Sequence, residues 1–262
     1  MKDFGKVSYA PVGQCIYCGS TDDLSREHII PYALGSNATL PRASCERCRK
    51  ITGDFERDVL RGPMWPVRVI SKLQSRNKHT KAAETESLLI VKDGQEQIVE
   101  LPLEEYPILL PFLLFPAPAA ISASQYTNSI QSSEEPVTIS FGANPEEVLR
   151  KLGATEIKIM PRELKPVSFA RMLAKIAYCY AFAEGALKSL DGKSVVLPSI
   201  LGDRDDIGLW VGITDPSLIA REGILHRLAM MEDKENGFLV AEIQLFSGSQ
   251  TPNYSVILGR LK

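Results

Sequence analysis

The chain has 262 residues, of which 44% are hydrophobic and 24% are charged, a composition that excludes a disordered polypeptide. Its formal net charge of -2 is unevenly distributed, because residues 1–82 hold 14 Lys and Arg against 8 Asp and Glu, whereas residues 83–262 hold 16 against 24. A basic first part joined to an acidic second part predicts an anionic partner, nucleic acid, for the first part only.

Four of the five cysteines form two pairs with the same short spacing, Cys15-x2-Cys18 and Cys45-x2-Cys48. Each pair turns two thiolates toward one ion, so together they predict a tetrahedral zinc site that ties distant segments together. Such a zinc ion is structural, because four thiolates leave no coordination position for water. The alternatives are two disulfides or a redox pair, but no secretory segment precedes Cys15 and no thioredoxin-like pattern surrounds either pair.

The first domain is predicted to span residues 1–62. Its pattern indicates a strand at residues 28–30, a loop around Gly35 and a helix over residues 45–60. The helix is expected because Ile51, Phe55 and Val59 recur every four residues and form one apolar face. Gly62-Pro63 ends it.

A basic linker or helix is predicted for residues 63–83, and a larger domain follows over residues 84–262. That domain opens with a hairpin signal, since two apolar runs flank the turn-forming Asp93-Gly94. The most apolar stretch, residues 106–121, contains four prolines, which excludes a membrane-spanning helix and predicts a buried, extended connector. We therefore expect a cytoplasmic protein.

Further helices and strands are predicted in the second domain. Asn144 is placed to cap a helix that Gly153 ends, and the Ala-rich residues 168–190 predict a second helix at the centre of the core. The combination of strands and helices indicates an α+β domain. The remaining predicted strands cover residues 136–141, 156–160, 209–213, 238–246 and 254–261.

Three isolated features of the second domain have ordinary structural interpretations. Cys179 lies in an apolar part of the long helix and is predicted to be a core residue. Residues 165–175 carry several basic side chains that could face nucleic acid, but a solvated helix edge is the favoured interpretation. His226 lies in a stretch that resembles a helix and is predicted to be structural.

Glu27-His28 lies between the two cysteine pairs, where a zinc ion would make the backbone rigid. Hydrolysis of a phosphodiester needs a base for the attacking water and a divalent ion that neutralises charge. A neutral imidazole supplies the base, and a carboxylate supplies an oxygen ligand for magnesium. A lone His is more often structural, and only the position between the cysteine pairs favours a catalytic role.

The whole array resembles an HNH endonuclease of the four-cysteine, zinc-knuckle branch of the His-Me finger superfamily. The resemblance covers residues 12–62 and rests on the cysteine pairs, on residues 27–31 (Glu-His-Ile-Ile-Pro), on Leu34-Gly35 and on residues 51–56. It implies a ββα-metal fold, in which a hairpin carrying the catalytic histidine packs on a helix with one magnesium or manganese ion between them. It also implies that His28 is the general base, that Glu27 is a ligand of the catalytic ion, and that the four cysteines hold structural zinc.

Two positions depart from the family pattern. The family has Asn or His directly after the last zinc cysteine as a second metal ligand, whereas this chain has Arg49, which cannot donate a lone pair. The middle Asn of the family, which orients the loop and the histidine, has Asn37 as its nearest candidate. Glu56 or Asp54 of the helix could serve as a substitute ligand, and ion pairs with neighbouring arginines explain them equally well. The residues predicted to contact nucleic acid are Arg42, Arg49, Lys50, Arg57, Arg68 and Lys72.

Two functions follow from this pattern. The first is a metal-dependent endonuclease that cuts DNA, or alternatively RNA, in an intracellular, defence-type setting. The second is a catalytically degenerate HNH module that keeps the zinc site and binds nucleic acid or regulates. For the endonuclease, the second domain is expected to decide when or where the protein cuts. That domain is also the expected contact for a homodimer or a partner protein.

Overall fold

The chain is an α+β protein, as the sequence predicts. A computed structural model describes its helices, strands and side chains. No helix among the described residues is both long and apolar enough to cross a membrane. The described residues are 7–73, 85–122, 130–133, 135–159, 162–221 and 223–262.

The first part of the chain forms a ββα unit. Strand β1 (Ser25–His28) pairs antiparallel with β2 (Thr39–Ser44), and helix α1 (Glu46–Arg61) follows directly. A short 3-10 helix, Tyr32–Leu34, lies in the connection between the strands and ends at Gly35, whose φ of 88° is favourable for glycine. The predicted small N-terminal ββα unit is therefore confirmed.

Helix α1 is amphipathic in the way its sequence predicts. Thr52, Phe55 and Val59 are buried on one face, because they recur at helical spacing. Cys45 is the N-cap residue, so the second cysteine pair lies at the very start of the helix. The helix ends at Gly62, as predicted.

A short helix, α2 (Trp65–Ile70), lies within the segment predicted as a basic linker or helix. Its Pro66 occupies the first turn, where a missing N–H costs no hydrogen bond. Residues 74–83 of that segment, with their basic side chains, lie outside the described residues.

Three sheets and four helices build the described remainder of the chain. The strands are β3 (Thr85–Lys92), β4 (Gln95–Pro102), β5 (Pro107–Phe112), β6 (Val137–Gly142), β7 (Glu156–Lys158), β8 (Val211–Gly212), β9 (His226–Asp233), β10 (Phe238–Leu245) and β11 (Tyr254–Arg260), and the α-helices are α3 (Pro145–Leu152), α4 (Pro166–Ala183), α5 (Leu197–Leu201) and α6 (Ile207–Trp210). The predicted hairpin is confirmed as β3 and β4, which β7 extends into a sheet of order β4-β3-β7. A two-stranded sheet pairs β5 with β6, and a four-stranded sheet has the order β8-β11-β10-β9.

Two local predictions have different outcomes. Asn144 caps α3 as predicted, because its Oδ1 accepts hydrogen bonds from the backbone N–H groups of Glu146 at 2.8 Å and Glu147 at 3.3 Å. The helical interpretation of the stretch around His226 is wrong. That residue begins β9, where it lies opposite Leu245 of β10. Pairing with a neighbouring strand overrides the local pattern there.

Helix α4 occupies the centre of the core, as predicted, although it ends at Ala183 rather than near residue 190. It packs against α1 on one side and against β10 and β11 on another. Phe55 of α1 and Phe169 of α4 belong to the same hydrophobic cluster, so the apolar core is continuous across the N-terminal and C-terminal parts. The boundaries proposed at residues 62 and 83 stay predictions.

Candidate functional site

The four paired cysteines converge on one point. Their Sγ atoms all lie within 4.8 Å of one another, and Cys18 Sγ is 3.6 Å from Cys45 Sγ. Four sulfurs around a tetrahedral zinc ion, each about 2.3 Å from it, are about 3.8 Å apart. Cys15, Cys45 and Cys48 are buried and Cys18 is exposed. The cluster therefore fits a structural zinc ion.

The first cysteine pair forms a tight turn that packs on the hairpin. The backbone N–H of Gly19 donates to Cys15 O at 2.8 Å, and the N–H of Ile16 donates to Ala43 O of β2 at 2.8 Å. Because Cys45 caps α1, an ion at this cluster would join the turn, the hairpin and the helix. A zinc ion bound here would act as a scaffold, which fits the structural role that the sequence predicts.

Glu27 and His28 form the last two residues of β1. The His28 side chain is half-buried, and its ring centroid lies 5.5 Å from that of Tyr32. The backbone N–H of His28 donates to Glu27 Oε1 at 3.2 Å. Neighbouring residues of a strand point to opposite faces, so the imidazole and the carboxylate face different surroundings.

Glu27 faces inward and binds a lysine from the C-terminal part of the chain. Lys175 Nζ, on α4, lies 2.7 Å from Glu27 Oε1 and 3.1 Å from Glu56 Oε1 of α1. The same ammonium donates to the backbone carbonyl of His28. The Lys175 side chain is only 1% exposed, and that of Glu27 is 8% exposed.

Lys175 is held in its charged form by these contacts. Burial by itself favours the neutral amine, but the carboxylates of Glu27 and Glu56 outweigh it and raise the pKa of Lys175 above its usual value. The ammonium contacts three oxygen atoms, one from each of the two carboxylates and one from the main-chain carbonyl of His28.

The two carboxylates predicted to bind magnesium contact an ammonium in this arrangement. Glu27 and Glu56 come from β1 and α1, the two elements between which the family resemblance places the catalytic ion. Their oxygens surround an ammonium at hydrogen-bonding distance. A magnesium ion needs ligand oxygens at about 2.1 Å, and one oxygen of each carboxylate already contacts an ammonium here. The assignment of Glu27 and Glu56 as magnesium ligands stays a prediction.

Arg49 lies on the exposed first turn of α1. Its guanidinium pairs with Glu46, which also contacts Lys50 Nζ at 3.4 Å. Asp54, the other candidate carboxylate, pairs with Arg57 at 3.0 Å, and all of these side chains are substantially exposed. These pairs form a solvated surface of the helix.

Asn37 lies just before β2, and Arg42 lies within it. Asn37 is half-buried, two residues before Thr39, the cross-strand partner of His28. Arg42 has a φ of 51° where the β1–β2 register shifts, so it lies in a bulge and its side chain is exposed. A bulge redirects a side chain away from the regular face of a strand.

Arg68 and Lys72, the two residues after α1 that are predicted to contact nucleic acid, differ in their exposure. Arg68 is half-buried, and its Nε donates to Ala33 O at 2.9 Å while Nη1 donates to Leu60 O at 2.7 Å. That guanidinium holds the loop after His28 against the end of α1. Lys72 is exposed.

His226 holds the same loop from the other side. Its Nε2 lies 2.8 Å from Leu34 O, and its Nδ1 lies 3.2 Å from the backbone N of Phe246. Because an N–H can only donate, Nδ1 accepts and Nε2 carries the proton. Burial lowers the pKa of His226 to about 4, so the ring is neutral near pH 7. The structural role predicted for His226 agrees with this position.

Sequence reasoning missed Lys175 as part of the site. The interpretation of residues 165–175 as a solvated helix edge is wrong for this residue, which is fully buried. The available signal was a single lysine inside the apolar run of α4, since a lysine is almost never buried unless it is paired. Cys179, one turn further, is buried as predicted, and its Sγ lies 3.2 Å from Tyr17 Oη.

Comparison with known proteins identifies the N-terminal segment. Residues 15–61 match the family model described as HNH endonuclease, which covers well under half of the chain. No curated protein and no solved structure matches. The matched residues contain the cysteine cluster, the hairpin and α1, and we call this segment the HNH domain.

Proposed function

We propose that the protein binds DNA through its HNH domain and does not hydrolyse it by the magnesium-dependent route of the endonucleases. The observation that supports this proposal is Arg49, directly after the last zinc cysteine, where the family pattern has a metal ligand. A guanidinium stays protonated and repels a divalent cation, whereas it binds a phosphate with charge-assisted hydrogen bonds. Compared with the family pattern, a side chain that binds a cation is replaced here by one that binds an anion.

The partner that Arg49 now has does not prevent such a contact. The side chains of Arg49 and Glu46 are 52% and 47% exposed. An exposed ion pair contributes about 0 to 1 kcal/mol, so a phosphate can replace the carboxylate at small cost. Arg42, Arg47 and Lys50 are exposed on the same small domain and add positive charge. Phosphate contacts of this kind supply most of the affinity of sequence-independent DNA binding.

Two assays on the zinc-loaded full chain test this proposal. A fluorescein-labelled DNA duplex should bind with an anisotropy change at low salt, and a supercoiled plasmid should stay intact with magnesium or manganese. Arg49→Asn should weaken binding several-fold, because one phosphate contact is lost, and should not restore nicking. Arg61→Asn, at the far end of α1, is the matched control. Binding to a single-stranded RNA of equal length but not to the duplex would contradict the choice of DNA.

A metal-dependent endonuclease is the second candidate, and the position of His28 favours it. The imidazole lies at the end of β1, on the strand face opposite the buried Glu27, and is half-buried rather than enclosed. From there a neutral imidazole can take the proton of an attacking water. A protein that only binds DNA has no chemical need of this histidine.

The plasmid assay also decides this second candidate. If the wild type nicks the plasmid, His28→Ala should reduce the rate by about two orders of magnitude or more and leave the affinity nearly unchanged, because a general base acts mainly in the transition state. Nicking that His28→Ala does not reduce would remove His28 from the mechanism. Nicking by the wild type that needs His28 would replace our first proposal with the second.

A further inference from the structure

A buried ammonium lies where the HNH fold is expected to hold its catalytic ion. Lys175 Nζ is located between β1 and α1 and contacts one carboxylate from each of them, Glu27 at 2.7 Å and Glu56 at 3.1 Å. Its third contact is the main-chain carbonyl of His28. Every contact is to oxygen, the ligand type that hard cations select.

Lys175 belongs to α4, and one face of this helix packs on the HNH domain. Arg171 of α4 stacks on Phe55 with its Cζ 4.9 Å from the ring centroid, and Tyr178 Oη donates to Ile16 O at 2.6 Å. Together with Lys175, these residues are spaced by four and three positions, which is one side of an α-helix. Lys175 is therefore fixed at the middle of the docked face.

A surface ion pair would not have this geometry. Lys165, the N-cap residue of the same helix, contacts Asp58 at 3.3 Å, and those two side chains are 62% and 40% exposed. Lys175 is 1% exposed, and its partners lie on two different elements that the ion of the resembled fold would also connect. A buried charge of this kind is retained only when it is paired and hydrogen-bonded.

We propose that Lys175 replaces the divalent cation of the HNH fold, so that its ammonium holds Glu27 and Glu56 together and no magnesium or manganese ion binds between β1 and α1. The cation of this site thus belongs to the C-terminal part of the chain. This inference goes beyond the proposed function, because it concerns which cation holds the two carboxylates and is independent of DNA binding.

Manganese binding to the full, zinc-loaded chain tests the inference directly. Free Mn²⁺ is measured by electron paramagnetic resonance during a titration to about 1 mM, a range that covers weak protein sites. The wild type is expected to bind none between β1 and α1, and its melting temperature should not change with manganese. A bound manganese ion that Glu27→Gln removes would overturn the inference.

Removal of the ammonium should create the missing ion site. In Lys175→Met the buried Glu27 and the partly buried Glu56 lose the ammonium between them, so the melting temperature should fall and manganese should raise it again by several degrees. Lys165→Met, which removes the same charge from the exposed pair at the start of the same helix, should show neither effect. A folded Lys175→Met that manganese neither binds nor stabilises would contradict the idea that the ammonium occupies a cation site.

A third variant keeps the test decisive if Lys175→Met does not fold. The triple substitution Lys175→Met, Glu27→Gln and Glu56→Gln removes the three charges of this cluster, and it should recover much of the lost melting temperature without any response to manganese. A triple variant that is as unstable as the single one would show that Lys175 acts only through packing. Anisotropy with the DNA duplex, measured in parallel, reports separately on the proposed function.

Discussion

At the scale of single residues, His226 and Arg68 fix the loop that follows His28. His226 binds Leu34 O and Arg68 binds Ala33 O, so two adjacent carbonyls of the connection between β1 and β2 are held by side chains from elsewhere. Both contacts are to main-chain oxygens, which keeps the loop in one conformation whatever its own side chains do. The position of His28 therefore depends on residues far away in sequence.

His226 makes stability depend on pH. Its pKa is lowered from 6.5 to about 4 by burial, so the unfolded chain takes up a proton below pH 6.5 while the folded chain does not until about pH 4. Folding stability is unaffected above that window and falls as the pH decreases through it, by at most about 3 kcal/mol.

Urea unfolding at several pH values between 7 and 4.5 measures this effect. The wild type should lose stability as the pH falls, and His226→Gln should lose about 2 kcal/mol less over the same range, because glutamine does not titrate. Release of zinc in acid affects both proteins and cancels in the difference. Parallel stability curves for the two proteins would show that His226 does not carry the proton linkage.

At the scale of elements, α1 links the two sites of the HNH domain. Its N-cap Cys45 belongs to the cysteine cluster, and Glu56, three turns along, contacts Lys175. A rigid helix transmits the position of one end to the other. The zinc cluster and the ammonium therefore fix α1 at two points against the same hairpin.

Loss of one zinc ligand should release that arrangement. Purified protein should contain about one zinc ion per chain, and Cys45→Ser should abolish it, because a metal that binds only the folded state supplies folding free energy. Hydrogen exchange should then show lost protection over residues 25–61. Cys179→Ala is the control, since that cysteine is buried outside the cluster. Full protection of residues 25–61 in zinc-free protein would contradict a scaffolding role.

At the scale of the whole molecule, the uneven charge predicts how the protein meets DNA. The excess of basic residues lies in residues 1–82 and the excess of acidic residues in the remainder. If the HNH domain neutralises about four to six phosphates, log affinity should fall with log salt concentration at a slope of roughly -4 to -5. The acidic part should repel the duplex and orient it toward the small domain.

Anisotropy titrations at increasing salt measure that slope. Replacing Arg42, Arg47 and Lys50 together by alanine should flatten it by about 2 to 3, because each lost phosphate contact removes about one released counterion. Lys188 and Lys234, both exposed in the C-terminal part, should have no effect on the slope when replaced by alanine. An unchanged slope in the first variant would place the DNA surface elsewhere.

The N-terminal domain could be predicted closely from the sequence because its information is local. The paired cysteines and the four-residue period of α1 are short patterns, and they indicated the cysteine cluster and the helix correctly, whereas the strand predicted at residues 28–30 lies earlier, at Ser25–His28. The same holds for α3, where the capping residue and the terminal glycine are a few positions apart. The roles of His28 and of the basic residues stay predictions, since they concern chemistry rather than local geometry.

Only the tertiary structure decided which groups face the two carboxylates between β1 and α1. Lys175 is 148 residues from Glu27 in the sequence. The apolar pattern of α4 indicates that its single lysine is buried and paired, but it does not indicate which groups the lysine contacts. Likewise β9 became a strand through pairing with β10, against its local pattern. Such contacts are set by how α4 and the C-terminal sheet pack on the HNH domain, because charge compensation in a low-dielectric interior depends on the three-dimensional neighbours of each group.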